Sequence, residues 1–500
     1  MSNDSATSDV FDLLVVGGGI NGCGIARDAA GRGLSVALAE MNDLASATSS
    51  ASTKLFHGGL RYLEYLEFNL VRHALREREV LLRAMPHISW PMRFVLPFSP
   101  DMRFDSNTPV SRILNLLMPW LKGRRPSWII RFGLFLYDRL GGRGLLPSTR
   151  SLDLRGTKEG EPLKERFQKA YEYSDCWIED SRLVVLNAQD AENRGAHIMV
   201  RTKVEKAVRS SDAWEITLRN TQTNDERAIK ARMLVNAGGP WVGDIIHQRA
   251  NIRSNEGVRL VRGSHIVTKR LYGHDKCYFF QGADGRIIFA IPYETDFTLI
   301  GTTDQEHKNP DVTPECTVAE QQYLVDFANT YFKRDISLDD IVWTYSGMRP
   351  LYDDGASSAT AATRDYTLKV DAADGAPILN IFGGKITTFR KLAENAMKKL
   401  VPLVGGTGPW THDAALPGGD FAVDARDTLV ADLLRDYPFL DDRWALRLIR
   451  GYGTEAQQIL GDAKEAGDLG HDFGATLTEA EVKWLMTHEY AQTADDVIWR

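Results

Sequence analysis

The stretch Asp12-Leu-Leu-Val-Val-Gly-Gly-Gly-Ile-Asn-Gly22 decides the fold of this 500-residue chain. Its apolar run predicts a buried parallel strand that stops at glycines with G-x-G-x-x-G spacing, Gly17, Gly19 and Gly22. Apolar residues then recur at helical spacing, and a second apolar run ends at Glu40. Glycines here permit a sharp turn, close approach of the backbone to a pyrophosphate and tight packing of helix on strand. The ordered set predicts a dinucleotide-binding βαβ unit rather than a glycine-rich turn without a ligand.

The N-terminus of the helix that follows the glycines offers bare N–H groups and a partial positive charge that favour phosphate, and Ile20 and Asn21 are predicted cofactor contacts. Glu40 is placed to accept hydrogen bonds from a ribose. Cys23 and Gly24 follow the glycines where an ATP P-loop requires Lys and then Ser or Thr, so the turn is not a P-loop. One such unit fits NAD or FAD equally well.

Two further strand ends carry glycines. Asn236-Ala237-Gly238-Gly239 follows a buried run, with Trp241 close behind it, and Gly383-Gly384-Lys385-Ile386-Thr387 joins a strand to a helix start. Strand ends about 200 residues apart that approach one ligand favour the larger, permanently held FAD. The helix start that follows Gly383 and Gly384 offers free N–H groups beside the oxygens of a flavin ring.

A segment rich in small hydroxyl residues follows the first βαβ unit. Its hydroxyls at Thr48, Ser49 and Ser50 are suited to phosphate oxygens, and Gly58 with Gly59 permits close approach to a flat ring. His57 is interpreted as a flavin contact rather than a base. Composition alone would favour a surface loop, whereas the position directly after the βαβ unit favours a ligand site.

Four basic side chains lie beside glycine, proline or turn residues: Arg61, Arg349, Arg364 and Lys385. Arginine's planar fork matches phosphate or carboxylate, so their placement beside strand ends predicts an anionic substrate. Any one of them alone would be interpreted as an ordinary surface cation. His265 follows Gly263-Ser264 on the first strand of a predicted antiparallel meander, where it is either a base for a hydroxyl proton or a core histidine.

An apolar segment, Ile113 to Leu121, lies between Arg112 and the basic residues Lys122, Arg124 and Arg125. It is too short to span a bilayer, and two interpretations stay open at this point. The segment lies in the interface of an anionic membrane, or it is a short core helix.

The composition bounds the remaining function classes. With 60 Lys plus Arg against 67 Asp plus Glu, the net charge of −7 disfavours non-specific binding of nucleic acid. The four cysteines form no C-x-x-C pair, which predicts reduced cytoplasmic thiols and no metal site.

We predict an α/β fold with a Rossmann-like FAD-binding domain, an antiparallel-sheet substrate domain and a C-terminal α-helical domain. The predicted parts are 10–103, 166–254 and 371–400 for FAD binding, 104–165 as linker and membrane-facing insertion, 255–370 mainly for the substrate sheet, and 401–500 for the helical domain.

The motifs together resemble the FAD-dependent, quinone-linked glycerol-3-phosphate dehydrogenases of aerobic bacteria and mitochondria. The matching stretches are VVGGGINGCGIARDAAGRGLSV, ATSSASTKLFHGGLRYLE, EYSDCWIEDSRLV, GSHIV, IGTTD, WTYSGMRPL, TRDYTL and FGGKITTFRKLAENA. The resemblance covers nearly the whole chain, and the wider fold is similar to the glutathione-reductase and D-amino-acid-oxidase type of flavoprotein.

The resemblance implies hydride transfer from C2 of sn-glycerol 3-phosphate to flavin N5, giving dihydroxyacetone phosphate, with electrons passed to a membrane quinone. It also implies a cytoplasmic enzyme attached peripherally to the inner membrane, forming a homodimer. Relative to the compact bacterial pattern, residues 105–125 look like an insertion, which favours the membrane interpretation of the apolar segment.

Carried over from the family, the substrate site comprises Arg61, Tyr62, His265, Arg349, Arg364 and Lys385. Phosphate is assigned chiefly to Arg364 and Lys385, and the reacting hydroxyl to the catalytic pair Arg349 and His265. The implied cofactor residues also include Lys54 and Val204, the latter contacting adenine through its backbone.

Three alternatives stay open. They are a glycerol-3-phosphate oxidase that uses O₂, a catalytically silent FAD-binding membrane scaffold, and a flavin amine or amino-acid oxidase. Four candidate cations exceed what a single carboxylate needs, which disfavours the last, and a scaffold has no need of a phosphate-sized anion site.

The phosphate assignment can be tested at Arg364. Its replacement in Arg364→Ala should raise KM for sn-glycerol 3-phosphate strongly, because a phosphate-binding cation is lost. Steady-state kinetics measure the change, and an unaltered KM would contradict the assignment.

Overall fold

The computed structural model describes residues 10–99, 102, 108–118, 126–141, 144–282, 286–353 and 365–499. Its strands are β1 (Val10–Val16), β2 (Val36–Ala39), β3 (Leu55–Phe56), β4 (Ser89–Phe98), β5 (Arg150–Asp153), β6 (Lys169–Ile178), β7 (His197–Met199), β8 (Thr202–Arg209), β9 (Trp214–Asn220), β10 (Glu226–Asn236), β11 (Val258–Lys269), β12 (Cys277–Gln281), β13 (Ile287–Tyr293), β14 (Phe297–Gly301), β15 (Gln305–His307), β16 (Ile341–Tyr352), β17 (Thr367–Asp371) and β18 (Ile378–Phe382).

The helices are α1 (Ile20–Gly31), α2 (Phe68–Ala84), α3 (Pro109–Leu117), α4 (Ser127–Leu140), α5 (Asp180–Asn193), α6 (Val242–Asp244), α7 (Val318–Tyr331), α8 (Phe389–Val404), α9 (Arg426–Asp436), α10 (Asp442–Tyr452), α11 (Ala456–Leu460), α12 (Glu479–His488) and α13 (Ala494–Trp499). None of the helices that the structure describes is both long and apolar enough to cross a bilayer.

The first sheet is the predicted dinucleotide-binding sheet. Its strands follow the order β17-β18-β10-β1-β2-β7, with β9 on β10 and β8 on β9. Strand β1 pairs in parallel with both β2 and β10, so the carboxyl ends of three strands meet at one edge. Helices α1, α5 and α8 cover one face and enclose a continuous apolar core. The two glycine-marked strand ends at 17 and 238 are therefore neighbours, as the sequence predicts.

The second sheet contains the predicted meander. Its order is β15-β11-β14-β13-β12-β4-β6-β3, with β16 on β11 and β5 on β6. Strands β11, β14, β13 and β12 pair antiparallel, as their turn signals predict. The ranges assigned from the sequence to the first two FAD-binding parts also contribute β3, β4 and β6 to this sheet, because the chain crosses between the sheets several times.

The C-terminal helices α9 to α13 enclose a separate apolar core that includes Leu448, Ile449 and Trp484. A buried ion pair between Arg182 of α5 and Glu489 ties this helical unit to the first sheet. Arg182 also donates through Nε to the carbonyl of Gly451 at 3.0 Å. The prediction of a C-terminal helical domain is confirmed.

Close backbone packing holds the start of α1 against the sheet. Gly17 has a φ of +110°, and a Cβ there would lie 2.6 Å from the Ala237 carbonyl oxygen. A Cβ at Gly22 would lie 1.9 Å from the carbonyl oxygen of Gly17. Hydrogen alone therefore fits at either position, and the helix could not begin where it does with any larger residue.

This packing predicts that Gly22→Ala destabilises the protein, because α1 must move away from β1. Overpacking of this kind costs about 1–3 kcal/mol, which should lower the thermal unfolding midpoint by about 1–3 °C in a chain of 500 residues. Gly451→Ala is the matched control: it lies inside α10, and a Cβ there meets no atom within 4 Å. The control should unfold at or above the wild-type temperature, and equal midpoints for both variants would contradict the argument.

Candidate active site

One cavity of about 1110 Å³ runs from the glycine-marked edge of the first sheet to the inner face of the second. Ordinary ligand pockets measure about 300–1,000 Å³, so this cavity has room for a dinucleotide and a small substrate together. The three predicted strand ends, the hydroxyl-rich segment and the meander all contribute to its wall. Residues that are nearly 370 positions apart thus face one space, as Gly17 and Thr387 do.

Hydrogen bonds join the segments around the start of α1. The backbone N–H of Ile20 donates to Ser49 Oγ at 3.0 Å, and Asn21 Nδ2 donates to the carbonyl of Gly383 at 3.1 Å. Thr48 Oγ1 donates to the carbonyl of Met348 at 2.6 Å. The hydroxyl-rich segment is therefore pinned between the first βαβ unit and the second sheet.

Glu40 lies at the end of β2, as predicted. Its carboxylate accepts hydrogen bonds from the N–H groups of Gly18 at 2.7 Å and Asn42 at 2.8 Å. Burial raises the pKa of this carboxyl, although the two backbone donors oppose the shift. Each oxygen keeps a second lone pair, so the carboxylate is fixed in place and still able to accept from a ribose.

Most of the predicted cofactor residues line the cavity. These are Gly17, Gly19, Ile20, Asn21, Glu40, Thr48, Ser49, His57, Gly59, Val204, Ala237, Gly238, Trp241, Gly383, Gly384, Lys385, Ile386 and Thr387. The remaining five lie behind its wall: Gly22, Ser50, Lys54, Gly58 and Asn236. The hydrogen bonds and ion pairs of these residues explain why they do not line the cavity.

The five residues behind the wall hold the framework. Lys54 forms a buried ion pair with Asp180 at 2.5 Å, and Asn236 Nδ2 donates to Asn380 Oδ1 at 2.9 Å. The N–H of Gly58 donates to the hydroxyl of Tyr137 at 2.7 Å. The ammonium of Lys54 is therefore directed at a buried carboxylate, and its predicted contact with the cofactor stays a prediction.

His265 is almost completely buried at the inner face of the second sheet, with 1 % of its surface exposed. Its ring stacks on Tyr345 with centroids 4.6 Å apart, and its Nε2 lies 3.0 Å from Thr53 Oγ1. Burial, together with the positive charges of Arg349 and Lys54, holds the pKa of His265 well below its ordinary value. The imidazole is therefore neutral at physiological pH, which is the state that a proton acceptor needs.

Arg349 lies close to His265, because β11 pairs with both β14 and β16. Its Nη1 forms an ion pair with Asp304 at 2.5 Å, and its Nη2 donates to Thr302 Oγ1 at 3.1 Å. The guanidinium fills the space in front of Gly263, where a Cβ would meet Nη2 at 2.3 Å. Asp304 and Thr302 thus hold the fork in a fixed orientation beside the cavity.

The other predicted substrate residues divide into two groups. Arg61, Tyr62 and Lys385 line the cavity, and the ammonium of Lys385 lies 4.0 Å from the centroid of the Tyr62 ring. A cation held over an aromatic face in this way is oriented without losing its charge. Arg364 lies outside the described residues, so its predicted role in phosphate binding stays a prediction.

The sequence analysis missed four residues that surround the predicted catalytic pair: Thr53, Thr302, Asp304 and Tyr345. Thr53 and Tyr345 could not be found from spacing, because nothing local marks a residue as the partner of a distant histidine. Asp304 lies three residues past Gly301, where β14 ends, which is a weak signal for a site residue. Arg286, Phe279 and Phe289 also line this part of the cavity.

The cavity fits FAD. It offers the start of a 12-residue helix with no acidic residue in its first turn, which suits a pyrophosphate. Asn21 Oδ1 is buried beside it without a hydrogen-bond partner among the described residues. Within those residues there is also no group of three His, Cys, Asp or Glu side chains that could hold a metal ion.

Comparison with known proteins agrees with this geometry. The FAD-dependent oxidoreductase family model matches residues 12–388, and the model for the C-terminal domain of alpha-glycerophosphate oxidase matches residues 409–500. D-erythritol 1-phosphate dehydrogenase of Brucella abortus is 47 % identical over 498 residues, 99 % of this chain and 94 % of that protein. Aerobic glycerol-3-phosphate dehydrogenase of Escherichia coli is 47 % identical over 491 residues, 98 % of this chain and 93 % of that protein.

A solved structure is also similar along most of its length. The glycerol-3-phosphate dehydrogenase of Bacillus halodurans, complexed with FAD, superposes with a TM-score of 0.72 at 25 % identity, covering 99 % of this chain and 86 % of that one. The predictions of fold class and of FAD as cofactor are confirmed. This chain belongs to the family of FAD-dependent oxidoreductases.

Proposed function

We propose that the protein oxidises sn-glycerol 3-phosphate to dihydroxyacetone phosphate. One observation carries the proposal: Arg61, Arg349 and Lys385 line the same cavity as the glycine turn, together with the neutral His265. A protein with a net charge of −7 has no reason to gather cations there unless an anion binds.

The chain's own residues have distinct roles in this reaction. Lys385 and Arg61 bind the phosphate, with Arg364 as a further predicted contact. Arg349, oriented by Asp304 and Thr302, holds the oxygen at the reacting carbon and stabilises the charge that develops on it. His265 takes the hydroxyl proton, since its burial keeps it neutral.

FAD supplies the acceptor for the hydride that leaves the same carbon. The residues proposed to hold it are the cavity-lining members of the predicted cofactor set, with the pyrophosphate at the start of α1 and the ribose at Glu40.

D-erythritol 1-phosphate is the second candidate substrate. A D-erythritol 1-phosphate dehydrogenase is as similar to this chain as a glycerol-3-phosphate dehydrogenase is, each at 47 % identity. Both molecules join a phosphate monoester to a polyol, so the cation cluster and the base serve either one. The two molecules differ in the length of the carbon chain, so the rates at which they reduce the flavin are to be compared directly.

The reductive half-reaction tests the function. Anaerobic mixing of the FAD-loaded protein with sn-glycerol 3-phosphate should bleach the visible flavin band, and the ratio of rate constant to dissociation constant should exceed that for D-erythritol 1-phosphate. A higher ratio for the tetritol phosphate would transfer the substrate assignment to it. If FAD is bound and its band is bleached by neither phosphate, nor by glycine, proline or D-amino acids, the result would favour the catalytically silent scaffold.

We further propose that a membrane quinone reoxidises the flavin. Helices α3 and α4 expose several large apolar side chains: Ile113, Leu116, Trp128, Phe132 and Phe135. Arg112, Arg131 and Arg139 are exposed on the same helices. An apolar face with cationic neighbours suits the interface of an anionic bilayer.

This apolar face lies next to the substrate end of the cavity. Both α3 and α4 pack against the turn formed by residues 60–65, which carries Arg61 and Tyr62. A quinone dissolved in the bilayer would therefore arrive near the substrate end of the cavity. The predicted interface segment 105–125 lies partly outside the described residues, and α4 extends the face beyond it.

Rapid formation of hydrogen peroxide in air would instead favour the oxidase alternative.

The membrane proposal can be tested at Phe132, which is 56 % exposed. Phe132→Glu should weaken binding to vesicles of phosphatidylglycerol and phosphatidylcholine, because a charge enters the apolar face. The matched control is Phe473→Glu in the C-terminal unit, where the side chain is 55 % exposed. Vesicle co-sedimentation should show about tenfold weaker binding for the first variant and no change for the second. Equal binding by wild type and both variants would contradict the proposal.

A further inference from the structure

His265 lines the cavity, but only 1 % of its surface is exposed there. One face of its ring is covered by Tyr345, and its Cδ2 edge packs so closely against Gly301 that a Cβ there would lie 2.1 Å away. Its Nδ1 is buried without a hydrogen-bond partner among the described residues, and its Nε2 lies against Thr53 Oγ1 at 3.0 Å. Among the described residues, Nε2 is therefore the ring nitrogen that has a polar partner, and that partner is the hydroxyl of Thr53.

Thr53 lies beside the histidine at the cavity wall. Both residues line the cavity, but Thr53 is partly exposed, whereas His265 is 1 % exposed. Its hydroxyl can donate to Nε2 and at the same time accept from a second hydroxyl, since a threonine oxygen has one hydrogen and two lone pairs.

The turn that carries Thr53 is held by one buried carboxylate. Asp180, the first residue of α5, accepts from Ser52 Oγ at 2.7 Å and pairs with Lys54 Nζ at 2.5 Å. Both neighbours of Thr53 are thus fixed by the same side chain, which is completely buried. Lys54 adopts a φ of +58°, a left-handed conformation that a side-chain residue keeps only where its surroundings enforce it.

Tyr345 closes the arrangement from the other side. Its hydroxyl donates to the carbonyl of Ser52 at 2.8 Å while its ring stacks on His265. Tyr345 therefore contacts both the turn that carries Thr53 and the ring of His265. Their separation is set by packing rather than by the flexible side chain of Thr53 alone.

We propose that the hydroxyl of Thr53 relays the substrate's hydroxyl proton to His265, and that Asp180 is a positioning residue that holds Thr53 in place. The proposal rests on the proposed function. As the hydride leaves the carbon, the substrate O–H proton passes to Thr53 Oγ1, and the threonine's own proton passes to Nε2 of His265. The substrate becomes a ketone, Thr53 is unchanged, and the imidazole carries one additional proton.

The relay is tested by a pair of substitutions at position 53. Thr53→Val keeps the shape and removes the hydroxyl, whereas Thr53→Ser keeps the hydroxyl. General acid–base groups contribute about 10²–10⁴-fold to rate, so Thr53→Val should slow anaerobic flavin reduction at saturating substrate by about 100-fold. FAD content and the dissociation constant for substrate should stay within about threefold, and Thr53→Ser should retain most of the rate.

The role of Asp180 is tested by combining Asp180→Asn with Thr53→Val. If Asp180 acts through Thr53, the double variant reduces flavin no more slowly than Thr53→Val alone, because the interaction that Asp180 supports is already gone. If Asp180 merely stabilised the fold, Asp180→Asn would slow flavin reduction by the same factor in the wild-type protein and in the Thr53→Val variant. Should Asp180→Asn fail to fold, Ser52→Ala replaces it, since it removes the 2.7 Å hydrogen bond to the carboxylate.

The outcomes separate this proposal from the proposed function. If wild type is not bleached by either polyol phosphate, the substrate assignment fails and the relay built on it fails with it. If wild type is bleached and Thr53→Val reduces flavin at the wild-type rate, the relay is wrong and the substrate stands. A slow Thr53→Ser variant would likewise overturn the relay, because its hydroxyl remains in place.

Discussion

The close approach of α1 to the carboxyl edge of the first sheet is the constraint on which this structure depends. Hydrogen atoms at Gly17 and Gly22 occupy the only space between the helix start, β1 and the end of β10. That contact places three strand ends within reach of one ligand and directs the helix's free N–H groups at it. The cavity begins there, and every later segment of the site is positioned relative to this edge.

The substrate end is created by the register of the second sheet. Strand β11 pairs His265 with Gly301 of β14 and with Tyr345 of β16, and the same register brings Arg349 past Gly263. Two glycines leave the space that the imidazole and the guanidinium fill. A shift of either strand by one residue would turn these side chains to the opposite face, so the chemistry depends on the pairing as much as on the residues.

Buried charges between the layers keep the two sheets in a fixed relation. Asp180 holds the turn at Ser52 and Lys54, while Asp175 accepts from Arg78 at 2.6 Å and from the hydroxyl of Tyr137 at 2.8 Å, beside Gly58. Such pairs are costly to bury and costly to break, which suits a frame that must hold its geometry. Several residues that the sequence offered as ligand contacts belong to this frame.

The sequence by itself determined the dinucleotide-binding edge, the cofactor class and the identity of the cations. The reason is that glycine spacing, strand runs and helix starts are local patterns whose physical consequences follow from neighbouring residues. Only the tertiary structure decided that Lys54 pairs with Asp180, and that Nε2 of His265 lies against the hydroxyl of Thr53. Those outcomes depend on contacts between residues that are 126 and 212 positions apart, and no local pattern encodes them.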